Sequence, residues 1–213
     1  MRFFSKIADI WRHEELRNKI GITLGLILVY RIGSFIVLPG VNPDALADQS
    51  EGLGGLLSLF TGGAFSRASI FALGIMPYIS ASIIIQLMSI AVPAVQKMQQ
   101  EGESGRKKIT QYTRFLTIAI ALVQAPGYLA STVVSAVAVP DTLWWFSSVV
   151  IIVSSTLVIM WLGERITDKG VGNGISLLIM IGIIATFPQS LIQEFMHPDS
   201  TVYFFLVEIA FFL

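Results

Sequence analysis

The chain has 213 residues, 54% hydrophobic and 13% charged, with zero formal net charge and a mean hydropathy of +0.74. Soluble domains carry about 25% charged residues, so this composition belongs to lipid. The absence of cysteine excludes disulfides, thiolate metal sites and cysteine nucleophiles, and two histidines, His13 and His197, are too few for a histidine-rich metal site.

Residues 1–19 mix Arg2, Lys6, Arg12, Arg17 and Lys19 with Phe3, Phe4, Ile7, Ile10, Trp11 and Leu16. Much of that apolar set falls at helical spacing and predicts an amphipathic helix on the membrane surface; a solvated basic tail is the alternative. No small-residue cleavage site follows, so the segment does not read as a cleaved signal. The first span is expected over 20–38, stopped by Pro39 and Gly40. An acidic linker with Asp44, Asp48 and Glu51 leads to LGGLLSLFTGGAFS at 53–66, apolar but too short to cross a bilayer and broken at Gly62 and Gly63. The second span, about 69–92, carries Gly74, Pro77, Ser80, Ser82 and Gln86. A broken half-helix running into a span predicts irregular backbone at membrane depth. Such backbone is tolerated only where protein buries it or it lines a watery cavity.

A charged loop at 97–114 comes next, with later spans expected at about 110–133, 143–163 and 174–190. The final run, TVYFFLVEIAFFL, is too short to cross, so the chain reads as an incomplete molecule, and the depth of Glu208 is undefined. The expected fold is an all-α polytopic membrane protein with five transmembrane helices, a re-entrant half-helix and the start of a sixth span. Its parts are 1–19, 20–190 and 191–213. Lys and Arg gather before the first span, after the second (Lys97, Arg106, Lys107, Lys108, Arg114) and after the fourth (Arg165, Lys169). The other loops hold acidic residues and, of the basic ones, Arg67 alone. This alternation predicts a cytoplasmic N-terminus and a half-helix entering from the outer face.

Ile75 and Ile79 share one helical face across Pro77, and Ile175 and Ile179 repeat the spacing. Such pairs ordinarily face lipid or a neighbouring helix; a hydrophobic constriction that blocks hydrated ions is the functional alternative. Pro77 is expected to kink its span. Gly172, Asn173 and Gly174 read as a turn and helix cap. Arg31, deep in the first span, either snorkels to the outer face or pairs inside the protein. Gln86 and Gln124 read as helix–helix glue. The basic loop lacks the Walker order of a nucleotide site and no hydrolase constellation is visible, so no catalytic or metal-ligating residue, cofactor or enzymatic activity is expected.

Five stretches carry a resemblance: YRIGSFIVLPG (30–40), FTGGAFSRASIF (60–71), FALGIMPYISASIIIQL (71–87), EGESGRKKITQYTR (101–114) and WLGE…GVGNGISL (161–177). Together they resemble the SecY family of bacterial protein-translocation channel subunits, over essentially all of 12–190. The resemblance implies the N-terminal half of a ten-span clamshell in the bacterial inner membrane. It implies a pore ring at Ile75, Ile79, Ile175 and Ile179. It also implies a plug at about 53–67, with Leu56, Leu57, Leu59, Phe60, Gly62, Gly63, Phe65 and Arg67, and a lateral gate on the second and third spans. Implied partners are the SecE and SecG subunits, the SecA motor ATPase, a ribosome with its nascent chain, signal peptides and membrane lipids, without direct nucleic-acid binding in this half. The other half of the ring and the large cytoplasmic loops lie outside this sequence. A carrier with a midplane site between broken helices is the rival class, but it calls for intramembrane coupling charges, of which the second to fifth spans have essentially none. A plain scaffold would need neither the Gly62–Gly63 break nor Pro77.

Overall fold

The computed structural model describes residues 13–43, 45–46, 53–137 and 140–196; the expectations for 1–12, for Asp44, Asp48 and Glu51, and for 197–213 lie outside them. The regular elements are helices α1 (Glu14–Gly33), α2 (Leu53–Phe60), α3 (Met76–Ala91), α4 (Pro93–Gln100), α5 (Glu103–Tyr128), α6 (Thr142–Lys169) and α7 (Gly174–Met196). A π turn (Leu129–Val133) and a 3-10 turn (Val134–Ala136) prolong α5. Extended pairing among the described residues amounts to two isolated bridges, Val37 with Ser69 and Val41 with Val137. The all-helical class is therefore as expected. Two helices, α5 with its extension and α6, are by themselves long and apolar enough to cross a bilayer. The bent pair α3–α4 makes a third if it counts as one span, and the apolar part of α7, Gly174–Pro188, is shorter.

Helix α6 lies at the centre, packed against α1, α5 and α7. Its buried stripe runs Ser148, Ile152, Ser155, Thr156, Ile159, Gly163 and Ile166, at helical spacing. Small residues let helix backbones approach closely, the main source of association between helices in lipid. The hydroxyls of Ser155 and Thr156 donate back to the carbonyls of Ile151 and Ile152, at 2.7 and 3.0 Å, so no buried polar group is stranded there. Helix α5 presents Thr113, Thr117, Ala121 and Ala125 at every fourth position, all buried, and α3 runs alongside it.

Several predicted boundaries move, each for a tertiary reason. The first helix stops at Gly33 rather than 38. A Cβ at Gly33 would collide with the Phe71 ring, and the Ser34 hydroxyl closes the end by donating to the Tyr30 carbonyl at 2.9 Å. Beyond it the backbone pairs elsewhere: Leu38 N–H donates to Ala68, at 2.9 Å, and Ile70 N–H to Ile36, at 2.8 Å. For the same reason the second helix begins at Met76 rather than about 69.

The expected kink at Pro77 is also corrected. Pro77 occupies the first turn of α3, where its missing N–H removes no helical hydrogen bond. The bend falls instead at Val92–Pro93, where Val92 is extended (φ −111°, ψ 110°) as a residue before proline prefers. There α4 turns 101° away from α3. The stretch 97–114, read as a loop, is helical apart from a turn at Glu101–Gly102. Gly102 adopts φ 75° there, and Lys107 pairs with Glu103 one turn away, at 3.3 Å. Helices α6 and α7 run past their predicted ends at 163 and 190.

Between α2 and α3 the chain is irregular and largely buried from Thr61 to Ile75. Its backbone groups find partners within the protein, as membrane depth demands. Ser69 N–H donates to Ala64 at 3.0 Å, Phe71 N–H to the Ser69 hydroxyl at 3.2 Å, and the Tyr128 hydroxyl to the Phe65 carbonyl at 2.8 Å. The Phe65 and Tyr128 rings sit 4.7 Å apart and reinforce that tie.

Candidate functional site

Two helix starts supply the isoleucine pairs. Ile75 is the N-cap residue of α3, 8% exposed, and its carbonyl accepts from Ile79 N–H one turn on, at 3.0 Å. At the other start, Asn173 Oδ1 accepts from the backbone N–H of Ile175 and Ser176, at 3.1 and 3.3 Å. The turn-and-cap reading of the Gly172–Gly174 stretch therefore holds, with a further role for its last glycine. A Cβ at Gly174 would strike the Gly163 carbonyl of α6, so the glycine lets the two helices meet. All four isoleucines join one apolar cluster with Tyr30, Phe71, Ile159, Leu162, Ile166 and Leu178. Ile75 belongs to its buried centre, while Ile79, Ile175 and Ile179 are half-buried against it.

The half-helix α2 has 8 residues, about 12 Å of rise at 1.5 Å per residue. It packs against α7, and glycines make the seat. A Cβ at Gly182 would collide with the Phe60 carbonyl oxygen, and one at Gly62 would come within 3.3 Å of Gly182 Cα. Residues 175, 179 and 182 follow the i, i+4, i+7 pattern of one helix face. The seat of α2 is thus one turn beyond Ile179 on the side of α7 that carries the isoleucines. Gly62 and Gly63 take φ 65° and 80°, left-handed values that turn the chain back.

Arg67 Nε and Nη2 donate to the carbonyls of Gly63 and Gly62, at 3.1 and 3.0 Å, so a cation caps the C-terminal end of α2. The hydroxyls of Ser58 and Ser66 pair at 2.8 Å and close the returning loop. Of the residues assigned to the plug, Leu57 is half-buried, Leu59 and Phe60 are exposed, and Phe65 lies against Tyr128; the side chain of Leu56 is outside the described set.

Arg31 is half-buried. It lies between α1 and the end of α2, with its guanidinium 5.3 Å from the Phe35 ring and no ion pair among the described residues. Among the described residues the Gln86 side chain donates to the Ser82 hydroxyl on its own helix, at 3.4 Å. Sequence reasoning missed Gly182, Tyr128 and the bidentate pair of Arg114 with Glu164, at 2.9 and 2.6 Å, which joins α5 to α6. A lone glycine amid the apolar residues of α7 was the one available signal for Gly182.

Apolar helices long enough to span, with a glycine-seated half-helix beside them, define a multi-pass membrane protein built around a non-helical break. The comparisons give that class a family. The SecY family model matches residues 69–213. Protein translocase subunit SecY of Pseudomonas aeruginosa is 51% identical, over 85% of this chain and 42% of its own length. That of Streptomyces lividans is 45% identical, over 86% and 46%. The chain belongs to the SecY family, and it spans less than half the length of these relatives.

Two solved structures share the fold over 91% of the chain. Sec61 in a canine ribosome–channel complex from the endoplasmic reticulum has a TM-score of 0.62 at 19% identity, with 41% of that chain covered. A SecY whose plug domain stabilises the closed translocation channel and maintains a membrane seal has a TM-score of 0.61 at 20% identity, with 40% covered.

Proposed function

We propose that this chain is the N-terminal half of the central pore-forming subunit of the Sec protein translocase. In this reading it conducts unfolded secretory polypeptides across the membrane and releases transmembrane segments sideways into lipid. The observation that carries the reading is the meeting of two isoleucine pairs from separate helix starts in one cluster, with a half-helix seated one turn beyond. A narrow apolar neck offers a bare ion no ligand, whereas its flexible side chains can close around an extended peptide of any sequence.

Ile75, Ile79, Ile175 and Ile179 are then half of the pore ring, completed by the other half of the protein. The segment 53–67 is the plug, with Leu56, Leu57, Leu59 and Phe60 on its helix and Gly62, Gly63, Phe65 and Arg67 on its return. Helices α3 and α5 form one side of the lateral gate; the exposed apolar residues Ile83, Leu87 and Ile90 on α3, and Phe115 and Val123 on α5, suit a face that opens to lipid. The five-span count, with α1 and α7 crossing too, belongs to this proposal, as do the cytoplasmic N-terminus and the bacterial inner membrane. So does the absence of enzymatic activity, with SecE and SecG as companion subunits and SecA or a ribosome supplying the polypeptide.

Cysteines at Ile75 or Ile179 in the complete channel test the ring. Each is expected to crosslink to a secretory chain halted midway; crosslinks to lipid alone would sink the assignment. Deleting 53–66 tests the plug separately, with a raised resting ion leak expected and unchanged conductance removing it.

A further inference from the structure

The strongest unexplained feature is a cation beneath the end of the half-helix. Nη1 of Arg31 is fully covered by this chain's own atoms and has no hydrogen-bond partner. It presses on Gly62, where an added Cβ would approach it to 2.7 Å. The nearby charge is of the same sign: Arg67 stacks on the Phe35 ring at 4.6 Å, the ring that Arg31 faces at 5.3 Å. The ion pairs among the described residues, Arg17–Glu14, Lys107–Glu103, Lys108–Glu101 and Arg114–Glu164, leave Arg31 without a carboxylate.

The two arginines differ in what they do for α2. Arg67 holds it, through the carbonyls of Gly62 and Gly63. The ring contact of Arg31 stays within its own part of the chain, four residues away, and ties nothing to the half-helix. While α2 is seated, no outside group reaches the covered nitrogen, and a buried charged donor without an acceptor costs free energy. When α2 leaves, that nitrogen meets water and the like charges separate.

We propose that Arg31 is a release element: the covered, unpartnered nitrogen of its guanidinium weakens the seating of the half-helix and so sets how readily the channel opens. This rests on the plug reading of 53–67. Neutralising the charge then tightens the seal, the reverse of what loss of a clamp would do.

The test uses the complete channel with its partner subunits, carrying Leu57→Cys as a reporter on the half-helix. The readouts are the rate of labelling by a water-soluble maleimide from the outer side, and export of a substrate with a weakened signal sequence. Arg31→Met is expected to slow labelling about 3-fold or more and to reduce export of that substrate, whereas Arg31→Lys, which keeps the charge, labels at the parent rate. Arg31→Gln serves if the methionine variant does not fold. Faster or unchanged labelling in the neutral variant overturns the proposal. Deletion of 53–66 separates the two ideas. If deletion raises the leak but the neutral variant does not label more slowly, the release role alone falls. If deletion leaves the leak unchanged, the plug reading falls and takes this inference with it.

Discussion

Helix α6 and the stretch from Leu53 to Ile75 are both strongly apolar, yet they hold their backbones together in different ways. In α6 the N–H groups beyond the first turn find their acceptors one turn back, and even the hydroxyls of Ser155 and Thr156 bond within the helix. The irregular stretch also borrows partners from elsewhere: the Ile36 carbonyl, the Leu38 N–H and the Tyr128 hydroxyl. A self-satisfied helix keeps its hydrogen bonds wherever it goes. A borrowed set breaks when the segment moves, which makes α2 and its return a separable unit on a fixed frame.

The largest expected effect comes from destroying the seat itself. Gly182→Leu puts side-chain carbon where the Phe60 carbonyl lies, and neither backbone can yield cheaply. Overpacking of this kind costs about 1–3 kcal/mol, roughly 5- to 150-fold in an equilibrium. Bilayer recordings of the complete channel should show resting conductance rising accordingly.

A pair of milder variants sharpens the contrast. Tyr128→Phe deletes the donor to Phe65, whose carbonyl keeps only the Ala68 N–H, so a loss of about 1 kcal/mol is expected. Ser155→Ala removes only an intrahelical bond and should stay within about 0.5 kcal/mol. Thermal unfolding of the two purified variants compares borrowed with self-contained bonding; equal losses would erase the distinction.

Glu164→Gln weakens the tie between α5 and α6. With Arg114 half exposed, the expected loss is about 0.5–1 kcal/mol, shrinking as salt is added. Pro77→Ala should do least to the backbone: a first-turn proline replaces no helical hydrogen bond, so α3 keeps its course, and the cost, about 1–2 kcal/mol, is the lost packing of a fully buried ring. A change in the course of α3 there would revive the kink.

Much of the frame was legible in residue order. Helices α5 and α6 follow from apolar runs bounded by charge, and the break at Gly62–Gly63 was visible because glycines there interrupt a run already too short to cross. The cap at Asn173 was readable too, since its acceptor serves its own next turn. Helix ends beside the irregular stretch were not readable. Gly33 and Met76 are boundaries because distant segments compete for the backbone around them, and nothing local announces that competition. Proline shows the same limit: Pro77 and Pro93 look alike in the sequence, yet one opens a helix quietly and the other marks a 101° turn.

Sequence alone determined the solvent, the helical class and the place where the chain must depart from a helix, because hydropathy and the need to satisfy backbone groups in lipid act on neighbouring residues. Tertiary structure decided that Gly182 meets Phe60, that four isoleucines gather in one cluster, and that Arg31 ends beneath Gly62. Those outcomes depend on contacts between segments far apart in the chain, and close packing selects them only once the helices have assembled.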